Sequence, residues 1–420
     1  MTATEIHRTI EALWRIESPR LVAALARMLR DVGMAEELAQ DALVSALETW
    51  TKSGVPDNPG AWLMTTGKHR AIDFLRRRQM LERKHEQLGW SAEDAQDDAA
   101  ARIEADLEDD IGDDLLRLIF VACHPVLSTE ARVALTLRLL GGLTTTEIAR
   151  AYLCPEATIA QRIVRAKRTL TEKEVPFEVP GPDQREERMQ SVLEVIYLVF
   201  NEGYSATAGD DWMRPALCED ALRLGRLLAG LAPDDSEVHG LVALMELQAS
   251  RFRARVDATG EPILLREQNR AHWDRLLIQR GLAALAQSER LGGLRGPYTL
   301  QAAIAGCHAR APSVEETDWE RICALYAALL EVTPSPVVAL NHAVAVSMAR
   351  GPEAGLVLLD ALAGEAVLEK YHWLPSARGD LLFRLGRKSA AQSEFERAAS
   401  LTRNAREQTL LLARAAECAN

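Results

Sequence analysis

Residues 143–170, "LTTTEIARAYLCPEATIAQRIVRAKRTL", decide how the rest of the chain is read. Thr144 and Glu147 have the spacing of a capping box, in which each side chain takes a backbone N–H left over at a helix start. A short helix is therefore expected from Thr145 to about Tyr152, with Ile148 and Ala149 facing inward. "LCPEAT" makes a turn, and Pro155 suits the first position of a second helix, because the N–H it lacks has no helical partner there. Along that second helix Ile159, Ile163, Ala166 and Leu170 recur at helical spacing and form a stripe to be buried. Ala157, Thr158, Gln161, Arg162 and Arg165 fall on the exposed side, with Lys167 and Arg168 near the end. Gln and Arg carry paired groups that match base edges, whereas Lys and Arg at a helix end suit phosphates. The preceding "STEARVALTLRLLGG" (128–142) completes a three-helix core, with Ser128 as its cap. The pattern is that of a helix-turn-helix entering a DNA groove; the plainer alternative is a solvated basic helix in a bundle.

A DNA reader with net charge −12 needs explaining. The charge is uneven: residues 1–78 carry +1, 79–114 carry −10, 115–173 carry +5, and 174–420 carry −8. The acidity thus lies in a connecting segment and in the C-terminal half, and the helix-turn-helix region is basic. Local charge, not the total, governs where nucleic acid can bind.

With 420 residues, two to four domains are expected. Periodicity is helical almost throughout, with no alternating strand or hairpin turn, so the fold class is all-α. Residues 81–114, "LERKHEQLGWSAEDAQDDAAARIEADLEDDIGDD", have few large apolar side chains and read as an acidic linker, flexible or loosely helical. Prolines and a glycine in "EVPFEVPGPDQRE" (174–186) mark a second boundary. The expected domains are 1–80, the linker 81–114, 115–173, and a Leu/Ala-rich helical region over 186–420. Within the last, 339–362 aligns with 376–401 at an offset of about 35 residues, close to the tetratricopeptide length of about 34. Gly379, Gly386, Ala391, Phe395 and Ala398 occupy the small and plug positions of such a repeat; an ordinary helical hairpin pair is the alternative. The six cysteines are scattered, without zinc spacing, and read as buried small hydrophobes, so no metal is expected. The N-terminus lacks the apolar core of a signal peptide and no run is long enough to span a bilayer, which points to a cytoplasmic protein without a membrane partner.

"GMAEELAQDALVSALETW" (33–50) and "DNPGAWLMTTGKHRAIDFLRRR" (57–78) resemble conserved regions 2.1 to 2.4 of bacterial sigma factors of the extracytoplasmic-function class, and 127–170 resembles their region 4. The resemblance covers residues 1 to about 173; the remainder is similar to the tetratricopeptide-like extension of one subgroup. It implies a region 2 bundle, a linker, a region 4 helix-turn-helix and a C-terminal regulatory domain, in a protein that binds core RNA polymerase and directs promoter-specific initiation. On that reading Glu36, Glu37, Gln40 and Asp41 form one polar face of a helix that docks on the β′ clamp helices, while region 4 meets the β flap. The loop residues Asp57 and Asn58, and the basic Lys68, His69, Arg70, Arg76 and Arg77, would meet the downstream promoter element. Arg78 extends that ridge. His69 departs from the family, which usually has Asn there. Ala157, Thr158, Gln161, Arg162, Arg165, Lys167 and Arg168 would meet the upstream element.

The fused C-terminal half implies control in cis by a signalling protein or a ligand, in the direction of activation or of inhibition. Asn201, Glu202, Tyr204, Arg214, Glu219, Asp220, His239, Glu246 and Arg251 either line a pocket or satisfy one another inside a bundle. "GEPILLREQNRAHWD" (260–274) either closes over the bundle or faces a ligand. No P-loop, nucleophile elbow, HExxH or dinucleotide-binding glycine pattern is present, so neither an enzyme nor a cofactor is expected. The rival readings are a stand-alone helix-turn-helix regulator and a tetratricopeptide protein-binding scaffold. Neither accounts for the pattern over 33–78.

Overall fold

The structure, a computed structural model, describes residues 3–86, 111–207, 209–257, 260–293 and 295–419. Among them every extended regular element is a helix, and strand-like pairing is confined to two isolated bridges. No helix among the described residues is long and apolar enough to cross a membrane. The chain divides into two units, Met1–Val195 and Ile196–Asn420.

In the first unit, α1 (Ala3–Leu29), α2 (Val32–Ser53) and α3 (Pro59–Glu86) pack pairwise into a bundle. Asp31 caps α2 by accepting the Met34 N–H at 3.0 Å. Asn58 does the same for α3, taking the Ala61 N–H at 3.0 Å. Leu21, Leu25, Trp50 and Leu63 are almost fully buried, each such side chain contributing roughly 1.5–3 kcal/mol through lost apolar exposure. Trp50 and Trp62 meet edge to face, 5.3 Å between centroids.

The acidic linker expected over 81–114 begins and ends in helix. α3 runs on to Glu86, and α4 (Ile111–Ala122) starts before the expected boundary; 87–110 lie outside the described residues. Charge pairing explains the early start. Asp114 is only 2% exposed and sits between Arg27, at 3.3 Å, and Arg117, at 2.7 Å. Burial pushes its carboxyl above the usual range against the pull of those two guanidiniums. α4 therefore packs on α1 and belongs to the same unit as the first bundle.

α5 (Thr129–Leu139), α6 (Thr145–Ala151) and α7 (Glu156–Glu172) form the helix-turn-helix core. Ser128 caps α5 and the capping box of Thr144 and Glu147 is complete. Pro155 is the residue before the second helix rather than its first, because its backbone is still extended (ψ 139°). The second boundary also moves. α8 (Pro182–Tyr204) begins near the expected residue 186, but its first half completes the first unit. Arg188 donates to the Phe120 carbonyl at 2.7 Å, the Ser191 hydroxyl to the Cys123 carbonyl at 2.6 Å, and Arg132 donates to Glu194 at 3.0 Å.

The second unit continues with α9 (Pro215–Leu231), α10 (Ser236–Ala249), α11 (Arg275–Arg290), α12 (Pro297–Arg310), α13 (Trp319–Val332), α14 (Pro336–Arg350), α15 (Pro352–Ala361), α16 (Trp373–Arg384), α17 (Lys388–Leu401) and α18 (Ala405–Ala419). From α12 to α18 each helix packs on the next. Gly351 (φ 97°) and Gly386 (φ 73°) make the turns between paired helices in backbone that side-chain-bearing residues avoid. Gly379 lets α16 approach the buried Phe395 of α17: a Cβ there would lie 2.9 Å from the ring. Ala391 and Ala398 are fully buried in the same cluster.

Candidate nucleic-acid interface

α7 carries the residues expected to meet the upstream element. Ile159, Ile163, Ala166 and Leu170 are its buried residues. Ala157, Thr158, Gln161 and Arg165 are exposed and Arg162 is half-buried. Thr158, Gln161, Arg162 and Arg165 border a groove of about 410 Å³, whose other side is formed by Ser128 and Glu130 at the start of α5. Glu130 lies below its usual carboxylate range, held by its own backbone N–H and the Ser128 hydroxyl, with a smaller contribution from Arg162. The groove thus presents two guanidiniums and a carboxamide on a rigid helix. Arg168 is exposed, but its Nε donates to Glu172 at 2.6 Å.

Lys167 is not free for phosphate. Its ammonium pairs with the Glu36 carboxylate. Arg138 of α5 donates to the same carboxylate at 2.6 Å, and Gln40 at 2.7 Å. Glu36 is 5% exposed, so the polar face expected on α2 is divided. Glu37 and Asp41 are exposed, Gln40 is half-buried, and Glu36 is drawn into the unit by two cations from the helix-turn-helix. Burial alone would push the Glu36 carboxyl up; Lys167 and Arg138 outweigh it and hold the group below its usual range. A second tie joins Arg15 of α1 to Glu147 at 2.5 Å, on the same carboxylate that completes the capping box. Arg138 and Arg15 were not singled out in the sequence, since their partners lie 102 and 132 residues away.

On α3, His69, Arg76 and Arg77 are exposed, while Lys68 and Arg70 are half-buried. Arg70 reaches back to α2, at 3.2 Å from Asp41 and 2.6 Å from the Ser45 hydroxyl. Burial and the neighbouring Arg27 push the Lys68 ammonium below its ordinary value, with Asp114 opposing. Asp57 and Asn58 are exposed, and the Asn58 carbonyl is engaged as the α3 cap.

Of the polar residues in the second unit, Glu202 pairs with Arg214, and Glu246 with Arg226 at 2.8 Å; His239 bonds the Pro233 carbonyl at 2.8 Å. These are internal pairs. Tyr204 and Arg251 do line a cavity, together with Ile263 to Arg266, Gln268 and Arg270 from the 260–274 segment.

Residues 13–80 match the family described as Sigma-70 region 2, and residues 117–170 match Sigma-70, region 4. Residues 188–289 match a family of unknown function, DUF6596. "Uncharacterized protein R00370" of Rhizobium meliloti (strain 1021) is 44% identical over 390 residues, covering 93% of this chain and 91% of that protein. The ECF RNA polymerase sigma factor SigK of Mycobacterium ulcerans (strain Agy99) is 30% identical over 155 residues, 36% of this chain and 78% of that protein. SigK of Mycobacterium tuberculosis (strain ATCC 25618 / H37Rv) is 31% identical over the same length. With both regions matched in order on the helices that carry the α2, α3 and α7 faces, the chain belongs to the sigma-70 family, as a sigma factor of the ECF type.

Proposed function

We propose that this sigma factor binds core RNA polymerase through the polar face of α2, reads the upstream promoter element with α7 and the downstream element with α3 and the loop before it, and is regulated in cis by its tetratricopeptide-like C-terminal unit. The observation that carries the reading is the α7 groove, where Gln161, Arg162 and Arg165 stay at the surface over a filled apolar stripe. Bidentate donors on a rigid helix are what base-edge discrimination requires. The pairing of Glu36 with Arg138 and Lys167 fits a closed form in which part of the α2 face and part of the α7 basic end neutralise each other. Docking on polymerase would open that contact and release both. The net charge of −12 fits the same scheme, because a factor that repels free DNA acts only once polymerase supplies the remaining affinity.

Run-off transcription with purified core polymerase tests the assignment: the full chain is expected to give template-specific transcripts that core alone does not. Absence of any chain-dependent transcript, or of co-purification with core, would overturn it. Cis regulation is tested with a chain ending after Val195, which keeps the part of α8 that completes the first unit. We expect this chain to transcribe less than the full protein. Higher activity would mean inhibition, and equal activity would remove the regulatory role.

A further inference from the structure

The second unit holds a half-open cavity of about 590 Å³, within the roughly 300–1,000 Å³ of small-molecule sites. We propose that it binds a small amphipathic anion, a flat apolar body carrying one carboxylate or phosphate.

The cation count is the first argument. Arg251, Arg255 and Arg270 all line the cavity, and none has a carboxylate within ion-pair distance among the described residues. Their partners are neutral. Arg251 donates to Gln268 at 3.2 Å and to Gln248 at 3.1 Å. Arg270 donates to the carbonyls of His308 and Ala311, at 2.8 and 2.7 Å, and to the Thr317 hydroxyl at 3.0 Å. Arg255 donates to the Tyr204 carbonyl and is only 4% exposed. Its guanidinium lies 3.5 Å from the centroid of Tyr204 and 4.3 Å from that of Trp212. A guanidinium cannot shed its proton under ordinary conditions, so the desolvated charge needs an anion, and aromatic faces compensate only part of it.

The acids of the cavity are already committed. Asp380 holds both Arg266, at 3.0 Å, and Arg414, at 2.9 Å. Glu407 bonds His372 at 3.1 Å and the Thr402 hydroxyl at 2.7 Å, and acts on Arg255 only from beyond ion-pair distance. A positive potential therefore remains on the side of the three arginines. His308, which also lines the cavity, senses it: burial, Arg251 and Arg270 push its imidazole down to about 3.

Shape and lining define the rest of the ligand. Aromatic side chains of Tyr204, Trp212, Trp319 and Tyr371 face the space, which suits a planar body that exchanges water contact for ring contact. Arg255 is almost fully buried, so a group that reaches it must leave solvent, which favours a small molecule that enters the cavity over a peptide lying on the surface.

Binding is measured on the full chain without polymerase, so this proposal fails separately from the sigma-factor reading. The probes are 2-naphthoate, 2-naphthyl phosphate, the neutral isostere 2-naphthamide, inorganic phosphate and an acidic peptide, each by calorimetry and tryptophan fluorescence. At least one naphthyl anion is expected to bind one-to-one and about tenfold more tightly than the amide. Arg251→Gln should weaken it by about tenfold or more. Arg384→Ala, at an exposed position on the rim, should weaken it less and leave the fold intact. Ser376→Trp, which fills the cavity, should abolish it with the circular dichroism spectrum unchanged. Equal affinity for the amide, full affinity in Ser376→Trp, or no saturable binding of either naphthyl anion at millimolar concentration would overturn the proposal. Tighter binding of the peptide would overturn it in favour of a protein partner.

Discussion

The helices α2 and α7 have the same design in sequence, an apolar stripe with a polar face opposite it. In the fold they differ. All four stripe residues of α7 are buried, and Gln161, Arg162 and Arg165 remain around one groove. On α2 the polar face is split, because Arg138 and Lys167 pull Glu36 inside while Glu37 and Asp41 stay in solvent. Helical period assigns a residue to a face. Which groups on that face remain available is decided by charges that arrive from elsewhere in the chain.

The strongest way to break the comparison is Glu36→Gln. Removing the carboxylate shared by Arg138 and Lys167 leaves two cations uncompensated, so the first unit should lose about 3 kcal/mol. Urea denaturation checks this, and a change below about 0.5 kcal/mol would put Glu36 in the surface class with Asp41. The same contact should titrate. The Glu36 carboxyl is held below its ordinary value of 4.5. Its contribution is therefore complete above about pH 4.5 and is lost as the pH falls through the lower folded value. Acidification should narrow the stability gap between the native chain and the Gln variant.

Next in size comes Arg162→Ala, expected to reduce discrimination at the upstream element by about 1–3 kcal/mol. Arg168→Ala should instead weaken all promoter sequences alike and lower the salt slope by about one. Its pair with Glu172 is an exposed contact four residues along the helix, so its removal should change stability by only about 0.5 kcal/mol. Identical effects of the two substitutions across promoter variants would mean that α7 does not separate base from phosphate contacts.

Asp41→Arg should also cost the fold little. Asp41 and Arg70 are 3.2 Å apart and both substantially exposed, which limits the stability cost to about 1 kcal/mol or less. Association with core polymerase should nonetheless weaken, read as loss of co-purification with an unchanged circular dichroism spectrum.

What could be read in advance was local. The Ser128 cap, the Thr144 and Glu147 box and the α7 stripe each depend on residues within a few positions of one another, and each is found as expected. Gly379 against Phe395 was also legible, since a small residue and a plug at repeat spacing imply a close helix approach. The misread positions depended on partners far along the chain. Asp114 reads as linker until Arg27 is seen beside it. The first half of α8 reads as part of the C-terminal region until Arg188 and Ser191 are found bonded to the carbonyls of Phe120 and Cys123. Asn58 had a nearer competitor for its side chain, the start of its own helix. In the cavity, Tyr204 and Arg251 were among the polar positions considered, but nothing near them in sequence set them apart from Glu202 or Glu246, which are paired internally.

The burial of the cysteines has a practical consequence. Cys123, Cys218, Cys307, Cys323 and Cys418 are all buried, and burial raises every one of their thiols, Cys123 to about 11. Such thiols react slowly, because only the thiolate is nucleophilic. Cys154 is partly exposed and lies in the turn between α6 and α7. A maleimide dye offered to the native protein should therefore mark one position, in the turn that leads into α7. The chain carries its own attachment point for a fluorophore that would brighten or dim as that element meets a promoter, with no residue changed to install it.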